Sequence, residues 1–227
     1  MFRKWIRRNL RAGVRFLDGD GDAGGGFVSV PRSLLTERLG LLPVTPASLQ
    51  ADLRGGGDLA GVLGVDVPGD WPPELYDGDA ILFTLHGLLR APDSPNWWMY
   101  YIVRRPSRRG PATVVGCAGY KGPPEQGTAE IGYSILRAYR GQGYATEAAA
   151  ALARAAFRDR GVRRVIAETM PNLGASMRVL EKCGFRRVSG ASAPGIIRYE
   201  LPRARARSLL RAGVRRPIPF APARGRP

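Results

Sequence analysis

The sequence predicts an α/β chain, of the α+β kind, on a mixed and mostly antiparallel sheet of six to seven strands. Two observations point there. Three consecutive segments rich in β-branched and aromatic residues are joined by short turn-forming stretches, the pattern of an antiparallel meander. The third then reaches the next β-type segment only through a glycine loop and a helical segment, and such a crossover makes a parallel pair.

The elements follow in order. TERLGLLPV (Thr36 to Val44) reads as a strand, and TPASLQADL opens a helix with Thr45 as cap and Pro46 at its first position. GVDVPGDWPP is a loop before a second helix, about Pro73 to Leu89, with Leu75, Ile81, Leu82, Leu85, Leu88 and Leu89 apolar. WWMYYIVRR (Trp97 to Arg105), ATVVGCAGYKG and TAEIGYSI are the meander strands, turned by RRPSRRGP and PPEQG. The loop from Tyr139 to Gly143 starts a helix that runs to about Arg160. RRVIAETM is the parallel partner strand, PNLGASMRVLEKCGF a helix closed by Gly184 in the left-handed conformation, and FRRVSG and GIIRYEL the last strands.

The ends differ from this middle. Residues 1–30 combine a basic amphipathic stretch, with Trp5, Ile6, Leu10 and Val14 on one side, and a Gly/Asp linker. The linker's Asp18, Asp20 and Asp22 imitate half a calcium loop, but Ala23 and Ser29 stand where that loop needs Gly and Glu. Residues 203–227 hold eight arginines and no acid, and this Arg/Pro-rich tail is expected to be disordered, as is the N-terminal extension. The domain is therefore expected over 31–202. Of the net charge of +16, the two ends carry +3 and +8. The excess is thus mostly terminal, which weakens a nucleic-acid role for the middle.

No run of eighteen apolar residues predicts a membrane span, and the first residues lack a secretory apolar stretch. Two cysteines, Cys117 and Cys183, are too few for a disulfide scaffold, so a cytoplasmic location is expected. One histidine, His86 in a helical stretch, excludes a multi-histidine metal site, and no metal is expected.

The loop RGQGYA has two readings. A helix N-terminus offers backbone N–H groups without intrahelical partners and a partial positive charge, so it can seat an anion. Gly141 and Gly143 would let a diphosphate approach the backbone, and Arg140 would add charge. The same glycines also suit a plain tight turn. Neither a GK[ST] ending nor a dinucleotide fingerprint is present. The helix beyond stripes Ala145, Ala148, Ala149, Leu152, Ala155 and Ala156, small residues that let it lie close on a sheet.

Arg140-Gly141-Gln142-Gly143-Tyr144-Ala145 resembles the R/Q-x-x-G-x-G/A signature of the GNAT superfamily, the acetyl-CoA-dependent N-acetyltransferases. AEIGYSI before the loop, MPNLGASMRVLEKCGF after the next strand and TERLGLLPVT near the front agree, the last two resembling the Rim-type branch whose founding members acetylate ribosomal-protein N-termini. The resemblance spans about residues 34–202. It implies a GNAT fold with helices on both faces and a central parallel pair that splays. It also implies acetyl-CoA as cosubstrate, with Ser134, Ile135 and Leu136 on the pantetheine arm and residues Arg140, Gly141, Gln142, Gly143, Tyr144 and Ala145 on the diphosphate. Glu130 matches the catalytic glutamate of histone-acetylating relatives. Asn172 matches a cofactor contact and Ser176 a serine near the sulfur, while Leu180 stands where many members have a tyrosine acid.

Chemically, an amine of pKa about 10 needs a proton acceptor before it attacks a thioester, and the thiolate needs a proton afterwards. Glu130 suits the first task and Ser176 the second. Alternation puts Glu130, Gly132 and Ser134 on one strand face and Ile131, Tyr133 and Ile135 on the other. Glu130 paired with an arginine on the next strand, and Asn172 as a helix cap, are the bland alternatives. Cys183 lacks a histidine to activate it and is expected in the core. Trp71, Trp97, Trp98 and Tyr100 suit either an acceptor pocket or core. Glu74, Asp77 and Asp79 suit either an amine or a helix start. The acceptor implied is a small-molecule amine or a protein or peptide N-terminus, the chain a monomer or homodimer. Rival readings are a nucleic-acid binder using the basic tails, a membrane-surface protein using residues 1–16, and a non-catalytic acyl-CoA-binding module.

Overall fold

The computed structural model describes residues 32–107 and 110–206. The expected basic helix over 1–16, the Gly/Asp linker and the tail from 207 onward lie outside the described residues.

The strands are β1 (Leu34–Leu35), β2 (Leu39–Pro43), β3 (Met99–Arg104), β4 (Thr113–Tyr120), β5 (Thr128–Ile135), β6 (Arg164–Thr169), β7 (Arg186–Val188) and β8 (Ile197–Pro202). They form one sheet in the order β1-β2-β3-β4-β5-β6-β8-β7. Every neighbour pair is antiparallel except β5–β6. That is the expected mixed α/β sheet, with one strand more: the two-residue β1 is too short to leave a period-2 signal.

Five α-helices cover the sheet among the described residues: α1 (Pro46–Arg54), α2 (Gly56–Leu63), α3 (Gly78–Arg90), α4 (Tyr144–Ala156) and α5 (Gly174–Lys182). One face carries α4 and α5 over a core that includes Leu39, Leu41, Ile131, Leu152, Val165 and Leu180. The other carries the α1–α3 layer over Leu49, Leu59, Ile81, Leu88, Met99 and Tyr101. All eight residues of β4 are buried, as a central strand covered on both faces must be. Burying each large apolar side chain contributes about 1.5–3 kcal/mol.

Helix α3 starts later than expected. The Asp77 side chain accepts from the Ala80 N–H and caps it, and Asp79 lies in the first turn. Pro73 to Tyr76 stay outside the helix, with Leu75 at φ 66. Helix α2 forms in a glycine-rich stretch for which the sequence predicts no element; fully buried Leu59 holds it against the core. Helix α5 begins at Gly174 with Leu173 as its cap position and no capping side chain, so Asn172 is not the cap. Past Pro202, Arg203–Arg205 make a 3-10 turn. Arg203 donates to the Val162, Phe157 and Asp159 carbonyls, and Ala206 is fully buried. The first residues of the expected tail are therefore tied to the sheet's end through Arg203 and Ala206.

What the fold provides for a site is a split. β5 and β6 pair from Thr128↔Arg164 to Ile131↔Ala167 and no further, although both strands continue. Gly132 to Ile135 on one side and Glu168 to Thr169 on the other face a gap. The N-terminus of α4 lies beyond the carboxyl end of β5.

Candidate active site

Two cavities meet at the split. The inner one, about 110 Å³, is bounded by Tyr76, Phe83, Met99, Lys121, Glu168 and Leu180 among others. The outer one, about 340 Å³, runs along Arg140, Gly141, Gly143, Tyr144, Ala145 and the exposed side of α5. Leu75, Tyr133, Ser134, Leu173 and Ser176 line both, and so mark the junction.

The outer cavity ends at the glycine loop and the N-terminus of α4. Gly141 and Gly143 have φ of 75 and 83, the left-handed region that favours glycine. A Cβ built on Gly141 would meet nothing within 4 Å, so it would project into open space above the loop. Gly143 occupies the N-cap position of α4 and no side chain caps that end. The helix's first N–H groups are left for an anion. Arg140 donates through Nε to the Ile135 carbonyl at 3.0 Å, fixing its guanidinium beside the cavity. This arrangement fits the diphosphate of a CoA ester.

A strap crosses this end. Glu74 accepts from Arg137 at 3.0 Å and pairs with Arg140 at 3.1 Å, and those bonds hold its carboxyl below the usual range. The Ser134 hydroxyl donates to the Glu74 carbonyl at 2.6 Å. The strap is anchored by buried Asp52, which accepts from Trp71 Nε1 (2.6 Å), the Tyr76 hydroxyl (2.6 Å) and the Tyr101 hydroxyl (3.0 Å).

At the junction the Ser176 hydroxyl and the Tyr133 hydroxyl lie 3.1 Å apart, and Tyr133 also reaches the Ser176 carbonyl at 3.1 Å. Burial pushes the Tyr133 phenol well above its ordinary value, only partly offset by the Ser176 bond, so it keeps its proton at neutral pH. Leu180, at the position of the tyrosine of many relatives, is buried in the inner wall. The hydroxyls at the junction are those of Tyr133 on β5 and Ser176 on α5. Thr169 Oγ1, at the open end of β6 and on the inner wall, is buried and has no hydrogen-bond partner among the described residues. An amide in the gap would satisfy it.

Ser134, Ile135, Arg140, Gly141, Gly143, Tyr144, Ala145 and Ser176 are thus brought together. Four expected residues are not. Glu130 lies where β5 and β6 are still paired, forms an ion pair with Lys121, and lines neither cavity; it is Lys121 that reaches the inner wall. Leu136 is buried, its N–H donating to Val115 and its carbonyl accepting from Tyr139. Gln142 is exposed, with its carbonyl turned to Arg38. Asn172 is exposed outside both walls.

Glu168 is the carboxylate that does line the inner cavity. Its side chain is 1% exposed and accepts from the Ser192 N–H and hydroxyl and from Arg198. Burial raises its pKa, but these bonds outweigh burial and leave it lowered. So engaged, it is a structural anion and a poor base. Trp98 and Tyr100 are buried, Trp71 packs on Tyr76 and Tyr101, and Trp97 on Tyr120, so the four aromatic candidates belong to the core rather than to a pocket wall. Cys183 is buried, its thiol donating to the Thr146 carbonyl at 3.4 Å and pushed up to about 11 by burial, which rules against a nucleophile.

Sequence reasoning missed Tyr133 and Thr169, and it read Glu74 as facing an amine or a helix start rather than Arg137 and Arg140. Tyr133 stands beside Ser134 in a quoted motif, but its partner Ser176 is 43 positions away. Glu74 meets Arg137 across 63 positions, with no local signal.

A family model of the acetyltransferase (GNAT) domain matches residues 38–186. The chain is 29% identical over 153 residues to YjdG, an uncharacterized N-acetyltransferase of Bacillus subtilis (strain 168), a match covering 67% of this chain and 88% of that one. Among solved structures, an acetyltransferase from Agrobacterium tumefaciens str. C58 superposes with a TM-score of 0.53 at 22% identity, covering 79% of this chain and 99% of that one. RimL, a ribosomal L7/L12 alpha-N-protein acetyltransferase in complex with coenzyme A, gives 0.53 at 17% identity, over 75% and 98%. Those two likenesses speak to the fold. The family match covers most of the chain and includes both the glycine loop and the split strands: this chain belongs to the GNAT acetyltransferase family.

Proposed function

We propose that the chain transfers the acetyl group of acetyl-CoA to a primary amine, without a metal and without a covalent acyl-enzyme. The observation that carries this reading is the continuity of the uncapped N-terminus of α4, through the outer cavity, to the Tyr133–Ser176 pair at the strand split. When bound, acetyl-CoA supplies a thioester carbonyl open to attack by a neutral amine.

The chain's own residues divide the work. The backbone at Gly141 to Ala145 and the Arg140 guanidinium bind the diphosphate, and the β5 edge beyond Ile131, where pairing with β6 stops, pairs with the amide arm as an added strand would. Ser176 Oγ, backed by the Tyr133 hydroxyl, holds the proton for the leaving sulfur. Glu130, ion-paired with Lys121 behind the inner wall, takes the amine's proton through a water.

A protein or peptide N-terminus is the preferred acceptor, in keeping with the Rim-type motifs and with what RimL is named as modifying; a small-molecule amine is the second reading. Both cysteines are free and buried, which suits a reducing cytoplasm. The test is free-thiol release from acetyl-CoA with a panel of N-terminal peptides and small amines. Release with a peptide supports the first reading, and release with small amines alone the second. Coenzyme A bound without release for any acceptor would mean a non-catalytic binding module.

A further inference from the structure

The front motif TERL has no part in the roles above, yet the structure folds it onto the glycine loop. Thr36 to Arg38 form the turn between β1 and β2, and that turn closes around Glu147 in the first turn of α4. Glu147 Oε1 accepts from the Thr36 hydroxyl and from the Arg38 N–H at 2.9 Å. Its Oε2 accepts from Arg38 Nε at 2.8 Å and pairs with Nη2 at 2.7 Å. The remaining guanidinium nitrogen, Nη1, donates to the Gln142 carbonyl at 2.8 Å. The cation also lies over the Tyr144 ring, 4.9 Å from its centroid. One side chain therefore grips the glycine loop, the first helical residue and the acid behind them.

An acid in a first helical turn stabilises the empty helix, but it repels an anion arriving at the same N-terminus. Glu147 is 15% exposed, so solvent screens its charge only in part. A planar, permanently charged fork facing both Glu147 oxygen and the loop carbonyl removes that repulsion and fixes the loop at once.

We infer that Arg38 is a positioning residue for the diphosphate seat: it neutralises Glu147 and holds the Gln142 carbonyl so that the α4 N-terminus stays open to a phosphorylated ligand. The inference rests on the acetyl-CoA reading and adds a residue from the far end of the domain.

Calorimetric titration with coenzyme A tests it on wild type, Arg38→Met, Glu147→Gln and the double variant. Arg38→Met keeps an unbranched stem over Tyr144 while removing the charge. Its affinity is expected to fall about tenfold or more. The double variant is expected to regain part of that loss, because the neutral amide that replaces the Glu147 carboxylate no longer repels the ligand. Glu147→Gln alone, which stays informative if Arg38→Met fails to fold, is expected to bind at least as tightly as wild type. A merely structural clamp predicts the opposite for both: the double variant no better than Arg38→Met, and Glu147→Gln weakened. Those results, or unchanged binding by Arg38→Met, would overturn the inference. Wild type failing to bind coenzyme A would instead sink the acetyl-CoA reading itself.

Discussion

The two cavities that meet at Ser176 are made in different ways. The outer one is lined mainly by two short stretches, residues 133–146 and 173–182, in which strand end, glycine loop and helix start follow each other along the chain. The inner one gathers the 75–84 segment, β3, β4, β5, β6 and α5, whose members meet only because the sheet and its α1–α3 layer fold. A phosphate seat needs backbone amides and glycine, which a local motif supplies. A wall that selects an acceptor needs side-chain shape and buried polar bonds, which only tertiary packing supplies. The outer cavity should therefore withstand damage to the inner wall, and the reverse.

The largest expected effect is at the strap's anchor. Asp52→Ala removes the acceptor shared by Trp71, Tyr76 and Tyr101, leaving Tyr101 only the Ser48 carbonyl at 3.3 Å, which costs about 3 kcal/mol. Urea unfolding measures it, while coenzyme A affinity is expected to stay within about threefold. A loss of cofactor binding as large as the loss of stability would break the division between cavities.

Next is Glu130→Gln. Turnover is expected to fall about 100-fold with coenzyme A affinity little changed, since the residue sits outside the outer cavity. Equal turnover by steady-state assay removes Glu130 from the chemistry and leaves it as the partner of Lys121.

Glu168→Gln is expected to cost about 1–3 kcal/mol near neutral pH. The Glu168 pKa is lowered in the folded state from its ordinary 4.5. Its contribution is therefore present above that value and lost as pH falls through the folded pKa. The stability gap between wild type and variant, followed by denaturation across pH 7 to 3, should shrink on the acid side. A gap independent of pH would mean that the carboxylate charge contributes nothing.

The smallest effect is at Glu74, whose exposed carboxylate competes for Arg137 and Arg140. Glu74→Gln should tighten coenzyme A by about two- to fivefold at low salt. Weaker binding would make the strap part of the seat rather than a competitor for it.

The same contrast decides what can be read from the chain. The meander and the crossover are legible because period-2 segments, turn residues and one long helix are local signals. Gly141 and Gly143 stand out for the same reason, whereas Ser176 is marked only by the resemblance. Leu136 and Asn172 lie outside both cavity walls, and a motif position does not say which way backbone groups face. Leu136 spends its N–H on Val115, and α5 begins two residues after Asn172. The expected start of α3 falls too early because Pro-Pro-Glu-Leu suits a first turn, whereas the Asp77 carboxylate makes a better cap. Arg38 on Glu147 joins positions 109 apart, a distance over which no local pattern speaks.

The central claim is that backbone at the mouth of α4 holds the diphosphate, and Gly141→Asp tests it most directly. The new side chain enters open space, so the fold should be kept, and aspartate is among the residues that tolerate this backbone region. Calorimetry on the folded variant is predicted to show coenzyme A binding reduced at least about 100-fold, since a fixed carboxylate would stand against the phosphates. Affinity equal to wild type would contradict the account.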